Sequence, residues 1–160
     1  MARYNRIFAA LDGSEAQVAI ARRTLSIAHD NNAEVLFGHV IDAAHTEGGG
    51  VSNVEIAESE RCSIMQSIRR QLDRANKDDS IPAVHVKVAM GPISETMMDS
   101  LITPFNPDLI ICGVRGLSSI KYAFVGSVST YLVRHAKCDV LVVRPEAIDE
   151  LDEAEYAPYE

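Results

Sequence analysis

The sequence predicts an α/β domain: an open, five-stranded, parallel, doubly wound sheet in order 3-2-1-4-5, with helices on both faces. Three observations carry that expectation. Five short apolar runs read as strands buried on both sides, and four stretches with helical spacing separate them. No internal repeat and no linker-like composition divides the 160 residues. Strands that alternate with helices pair in parallel through right-handed crossovers, which places helices on both sheet faces.

The elements follow in order. RIFAAL (6–11) is the first strand, and Asp12-Gly13-Ser14 breaks it. Ser14 with Gln17 matches a capping box, in which a hydroxyl accepts from a free N–H of the first helical turn. The helix that follows carries an apolar stripe at Ile20, Ala21, Thr24, Leu25 and Ala28 and stops at Asn31-Asn32. EVLFGHVI (34–41) is the second strand. A loop with Gly48, Gly49 and Gly50 follows, then a second capping box from Ser52 and Glu55, and a helix with Ala57, Ile64, Met65, Ile68 and Leu72 on one face. AVHVKVAM (83–90) alternates as a third strand. Gly91-Pro92 opens a helix, because proline lacks the N–H that a first turn leaves unused. Its core face is Ile93, Met97, Leu101 and Phe105, and Asn106-Pro107 ends it. DLIICG (108–113) is the fourth strand. After the connection 114–125, a helix begins at Gly126-Ser127 with Val128, Leu132 and Ala136, and DVLVVR (139–144) is the fifth strand.

Composition excludes several classes. Hydrophobic residues make up 47% and charged residues 24%, as in ordinary globular domains. No apolar run approaches the ~20 residues that span a bilayer, so no membrane partner is expected. The net charge of −8 without a Lys/Arg-rich run argues against nucleic acid. Cys62, Cys112 and Cys138 are far apart and form no Cys-x-x-Cys pair, which reads as reduced thiols in the cytoplasm. No pair of histidines or cysteines has metal-ligand spacing. His39 and His85 read as core or edge side chains of strands, and Cys112 as an inert buried thiol. Met90, Met97 and Met98 read as core filling. Acidic residues gather in DELDEAEYAPYE at the end, which divides the chain into a domain over 1–145 and an acidic tail over 146–160.

Ligands of open α/β sheets bind beyond the carboxyl ends of the strands, where the strand order reverses. Here that point lies between the first and fourth strands. Asp12 ends one, and Gly113 ends the other and opens the long connection Gly113-Val114-Arg115-Gly116 through Gly126-Ser127. Glycines allow a close approach of backbone to ligand. Gly126 and Ser127 stand where a helix starts, so free N–H groups and the positive end of the helix dipole face an anion there. Arg115 and Lys121 add positive charge. These parts describe a phosphate cradle, although neither a P-loop nor a Gly-x-Gly-x-x-Gly fingerprint is present. The plainer reading is a surface loop ending in a helix cap, with Asp12 as a turn residue.

At these residues the chain resembles the universal stress protein family, in its ATP-binding branch. The family signature is Gly, two residues, Gly, nine residues, Gly, then Ser or Thr; here it stands as Gly113, Gly116, Gly126 and Ser127. LDGS (11–14), HVID (39–42) and GSVSTYLVRHAKCDVLVVR (126–144) match on the flanks, so the resemblance spans roughly residues 5–144. It implies an adenine environment at Ala10, Asp12 and Val40, and ribose and phosphate contacts at Gly113, Arg115, Gly116, Gly126, Ser127 and Val128. Ala10 stands where the family often has proline. The resemblance further implies ATP, with Mg²⁺ accompanying the nucleotide, a stress-response regulator, and a homodimer joined through the last strand, with a regulatory protein partner of unknown identity. The competing functions are a slow ATPase or nucleotide-dependent transferase, and a module for AMP or cyclic AMP.

Overall fold

The computed structural model describes residues 4–45, 50–114 and 126–144. Strands β1 (Arg6–Ala10), β2 (Glu34–Asp42), β3 (Val84–Gly91), β4 (Leu109–Gly113) and β5 (Asp139–Val143) form one parallel sheet. Its order is β3-β2-β1-β4-β5, with Ala9 level with Phe37 on one side and Ile111 on the other. The sequence expectation of fold and strand order holds. Central strands read as continuous apolar runs because both of their faces are covered.

Helices α1 (Gln17–Asn31), α2 (Asn53–Ser67) and α3 (Arg69–Ala75) pack on one face. There Ile7, Leu25, Val35, Phe37, Ile64, Ile68 and Ile111 form a core that is almost wholly shielded from solvent. The opposite face carries α4 (Ile93–Thr96), a π-turn over Met97–Ile102, α5 (Thr103–Phe105) and α6 (Ser127–His135). Phe8, Leu36, Leu101, Ile110 and Leu132 join them in the second core. Each such side chain contributes about 1.5–3 kcal/mol by leaving water. Gly38 in β2 makes room for one of them: a Cβ there would stand 2.5 Å from the Phe8 ring.

Local signals fared unevenly. Asn32 and Asn106 end their helical segments in the left-handed conformation, with φ of 55° and 51°, which asparagine tolerates better than most residues. The Ser52–Glu55 capping box forms: Glu55 N–H donates to Ser52 Oγ, and Ser52 N–H to Glu55 Oε2, both at 3.2 Å. The box expected at Ser14 and Gln17 does not. Helix α1 starts at Gln17 with Ala16 in the cap position and no side-chain cap, because both partners are engaged elsewhere. The single helix expected after the glycine loop is two, broken at Ile68. The helix after Pro92 widens to a π-turn, one turn before Pro104, which has no N–H to donate.

The two sheet edges differ. Ala83 O accepts from Val35 N–H, so Val86, three residues on, turns its own backbone groups outward from the sheet. There Arg61 of α2 donates Nε–H to Val86 O at 2.9 Å and covers part of that edge. On β5, Val143 O accepts from Val114 N–H at 2.9 Å, which leaves Val140 and Val142 facing away from β4. Among the described residues no helix is long and apolar enough to cross a membrane.

Candidate functional site

A cleft opens at the carboxyl ends of β1, β2 and β4, at the point where the strand order reverses. Its space, counted out to the open mouth and including open solvent, is ≈ 700 Å³. Ala10, Leu11 and Asp12 enter it from the end of β1, and His39 and Val40 from β2. Cys112 and Gly113 enter from β4, while Val128 and Ser129 line it from the first turn of α6. Ile93 and Met97 close one side, and Ala16 with Gln17 and Ile20 of α1 the other.

The architecture forces this convergence. Parallel strands all end at the same rim, and each chain reversal there delivers its first residues to the cleft. Ser129 is 3% exposed and ties the first turn of α6 to β4 by donating Oγ–H to Gly113 O at 2.9 Å. Gly113 leaves space for α1: a Cβ on it would lie 3.2 Å from Ile20 Cδ1. Gly126 caps α6 with φ −60° and ψ 166°, a conformation open to any residue. Among the described residues no side chain caps the helix and none in its first turn is acidic, so the positive end of its dipole is left toward the cleft. Val40, Ile93, Met97 and Val128 form an apolar wall of the cleft beside that end.

The ionisable groups of the cleft are few. Asp12 Oδ1 accepts from Ser14 N–H at 2.9 Å and from Ser14 Oγ–H at 2.6 Å, so its turn role is realised at the cleft mouth. His39 Nδ1 lies 2.8 Å from Leu11 O, and a carbonyl can only accept, so the ring proton sits on Nδ1. Burial pushes the Cys112 thiol above its ordinary range, with the Ser129 hydroxyl partly opposing. That keeps it a protonated, unreactive thiol, as the sequence reading expects. Among the described residues no group of three or more His, Cys, Asp or Glu could hold a metal ion.

Six of the nine residues singled out from the sequence line this one cleft: Ala10, Asp12, Val40, Gly113, Gly126 and Val128. Ser127 is the first residue of α6, exposed beside the cleft. Arg115 and Gly116 lie outside the described residues, as does the tail over 146–160. Sequence reasoning missed Gln17, His39, Met97 and Cys112 as cleft residues. A local signal existed for His39 and Cys112, which precede Val40 and Gly113 at the carboxyl ends of their strands.

The model of the universal stress protein family matches residues 3–144. A universal stress protein of Staphylococcus haemolyticus is 30% identical over 150 residues, which cover 94% of this chain and 90% of that one. One from Staphylococcus aureus strain USA300 is 29% identical over 148 residues, covering 92% and 89%. The solved structure of UspA from Lactobacillus plantarum superposes with a TM-score of 0.71 at 27% identity, over 90% of this chain and all of that one. A universal stress protein solved in complex with cAMP shares the fold, with a TM-score of 0.61 at 22% identity over 89% of this chain and 98% of that one. A doubly wound sheet of matching order, a cleft at its switch point and these matches over nearly the whole length agree: the chain belongs to the universal stress protein family.

Proposed function

We propose that the cleft binds an adenine nucleotide, ATP with its Mg²⁺, and that the protein is a nucleotide-responsive regulator of the stress response. One observation carries this reading: Gly113 and the uncapped start of α6 at Gly126 stand at one cleft, with apolar walls between β2, α4 and α6. Val40, Ile93, Met97 and Val128 would hold the adenine, and Gly113 would lie near the ribose. The first-turn N–H groups of α6 would hold phosphate, with Arg115 and Gly116 expected to join them. Mg²⁺ would be held by phosphate oxygens and water, as it commonly is.

Regulation is favoured over turnover by the chemistry of the lining. Rapid phosphoryl transfer needs a positioned base or water-orienting group and a charge clamp. Asp12 is engaged by Ser14, and His39 donates to Leu11. Phosphate release by the pure protein above about one per second, the low end of kinase rates, would replace this reading with the ATPase one. The outward-facing Val140 and Val142 of β5 support pairing of two copies through that strand.

The decisive experiment identifies any nucleotide that co-purifies with the protein, by mass spectrometry after denaturation, and then titrates ATP, AMP and cyclic AMP by calorimetry. ATP is the expected occupant and the tightest ligand. Preference for AMP or cyclic AMP would keep the adenine slot and remove the polyphosphate site. Binding of none of the three would overturn the proposal.

A further inference from the structure

The loop that ends β1 is held at the cleft mouth by more than its own Asp12–Ser14 hydrogen bonds. Its backbone is gripped by two side chains that arrive from other elements. Gln17 is 4% exposed, and its Oε1 accepts from Gly13 N–H at 3.2 Å. Its Nε2 donates in turn to Ser67 Oγ, and Ser67 Oγ–H donates to Ile64 O at 3.2 Å. Ser67 is the last residue of α2, beside the break at Ile68. The second grip is His39, whose Nδ1–H donates to Leu11 O while Nε2 lies 3.6 Å from Glu60 Oε1, also on α2. Glu60 stands against the loop itself, with Oε1 3.5 Å from where a Cβ on Gly13 would be.

The Gln17 grip therefore runs by hydrogen bonds from loop 11–14 to α2, and the His39 grip reaches α2 as an ion pair with Glu60 when the ring also carries a proton on Nε2; α2 itself contributes no residue to the cleft lining. Gly13 has φ +80°, a conformation glycine adopts without penalty. Both ends of the Gln17 amide are engaged, the oxygen by Gly13 N–H and the nitrogen by Ser67 Oγ, so its orientation is fixed. We propose that Gln17 and His39 are positioning residues, which set the Asp12–Ser14 loop at the cleft, and that through Ser67 and Glu60 the placement of that loop depends on α2. The proposal rests on the nucleotide reading for its ligand but not for its geometry. It assigns α2 as the element whose displacement would loosen the site, and whose order nucleotide binding would reinforce by reciprocity.

Ser67→Ala tests this away from the cleft, since it removes only the hydroxyl that receives Gln17. Two quantities are read by NMR and calorimetry on the full chain: the exchange rate of the Gly13 amide without ligand, and the dissociation constant for ATP. One lost part-buried hydrogen bond corresponds to about a three- to tenfold change, so Gly13 exchange should accelerate and ATP binding weaken by that factor. Gln17→Leu should do so more strongly. Ser67→Thr keeps the hydroxyl and should behave as wild type, and so should Ser63→Ala, at an exposed position of α2. Unchanged Gly13 exchange in Ser67→Ala overturns the linkage. Faster exchange with unaltered ATP affinity overturns the positioning role. If wild type binds no ATP, the nucleotide reading fails, and the Gly13 rate alone still decides whether α2 holds the loop.

Discussion

The substitution Gly126→Asp separates the stability of α6 from the proposed use of its N-terminus. Gly126 has φ −60° and ψ 166° at the cap position, so aspartate needs no backbone change. Its carboxylate would accept from the first-turn N–H groups, improving on glycine by a few tenths of a kcal/mol. Negative charge at a helix start adds roughly 0.3–1 kcal/mol. The ligand-free protein should therefore be as stable as wild type or about 0.5 kcal/mol more so. The same carboxylate occupies the donors that phosphate would use and places like charge beside it. ATP affinity should fall at least ~100-fold, or ~2.7 kcal/mol. At 100 times its dissociation constant, ATP stabilises wild type by about 2.7 kcal/mol, a rise of about 5–10 °C in Tm for a chain this size. The variant at that concentration sits near its own dissociation constant and gains only about 0.4 kcal/mol. Thermal melts with and without ATP read both effects, with Lys77→Asp as a remote, exposed charge control. A variant that folds and keeps the full ATP-dependent shift would refute the placement of phosphate at this helix.

Three further outcomes follow from the geometry. Val142 faces away from β4, so Val142→Pro removes an outward N–H while leaving the β4 ladder intact, and should convert a dimer to monomer by light scattering; a wild type that is monomeric at micromolar concentration refutes pairing through β5. Gly113→Ala pushes a Cβ to 3.2 Å from Ile20 Cδ1 and should cost about 1 kcal/mol in denaturant unfolding. Ile20→Val removes that methyl, so the double variant should lose at least about 0.5 kcal/mol less than the sum of the singles, and strict additivity would refute the contact. Cys112 and Cys138 have folded-state pKa values raised above the unfolded ones, by burial first in each case and by Asp108 and Asp139 besides for Cys138. Their contribution is whole at neutral pH and is lost as pH rises past the unfolded thiol range toward the folded one; Cys112→Ala should flatten the alkaline fall in stability, and an unchanged slope would exclude that thiol.

Much of the fold was legible because burial on both faces leaves a simple trace. RIFAAL, EVLFGHVI and DLIICG are apolar runs too short for helices, and the helical stripes between them dictate parallel pairing. Asn32 and Asn106 stop their helices for reasons contained in the residues themselves. The site was legible at its glycines, since Gly113 and Gly126 stand at strand and helix ends that any winding of this kind brings to one rim. Tertiary structure alone decided the rest. Ser14-x-x-Gln17 satisfies a capping rule locally, yet Gln17 spends its amide on Gly13 and on Ser67, fifty residues away, while Ser14 turns to Asp12. His39 looked like any strand histidine until the β1 loop placed the Leu11 carbonyl against it. The break at Ile68, a wholly buried residue, likewise carries no local signal. Periodicity records which face of an element is buried, because water is excluded from every core residue alike. It does not record which polar groups meet across elements, because a hydrogen bond needs both partners, and the second partner is chosen by the fold.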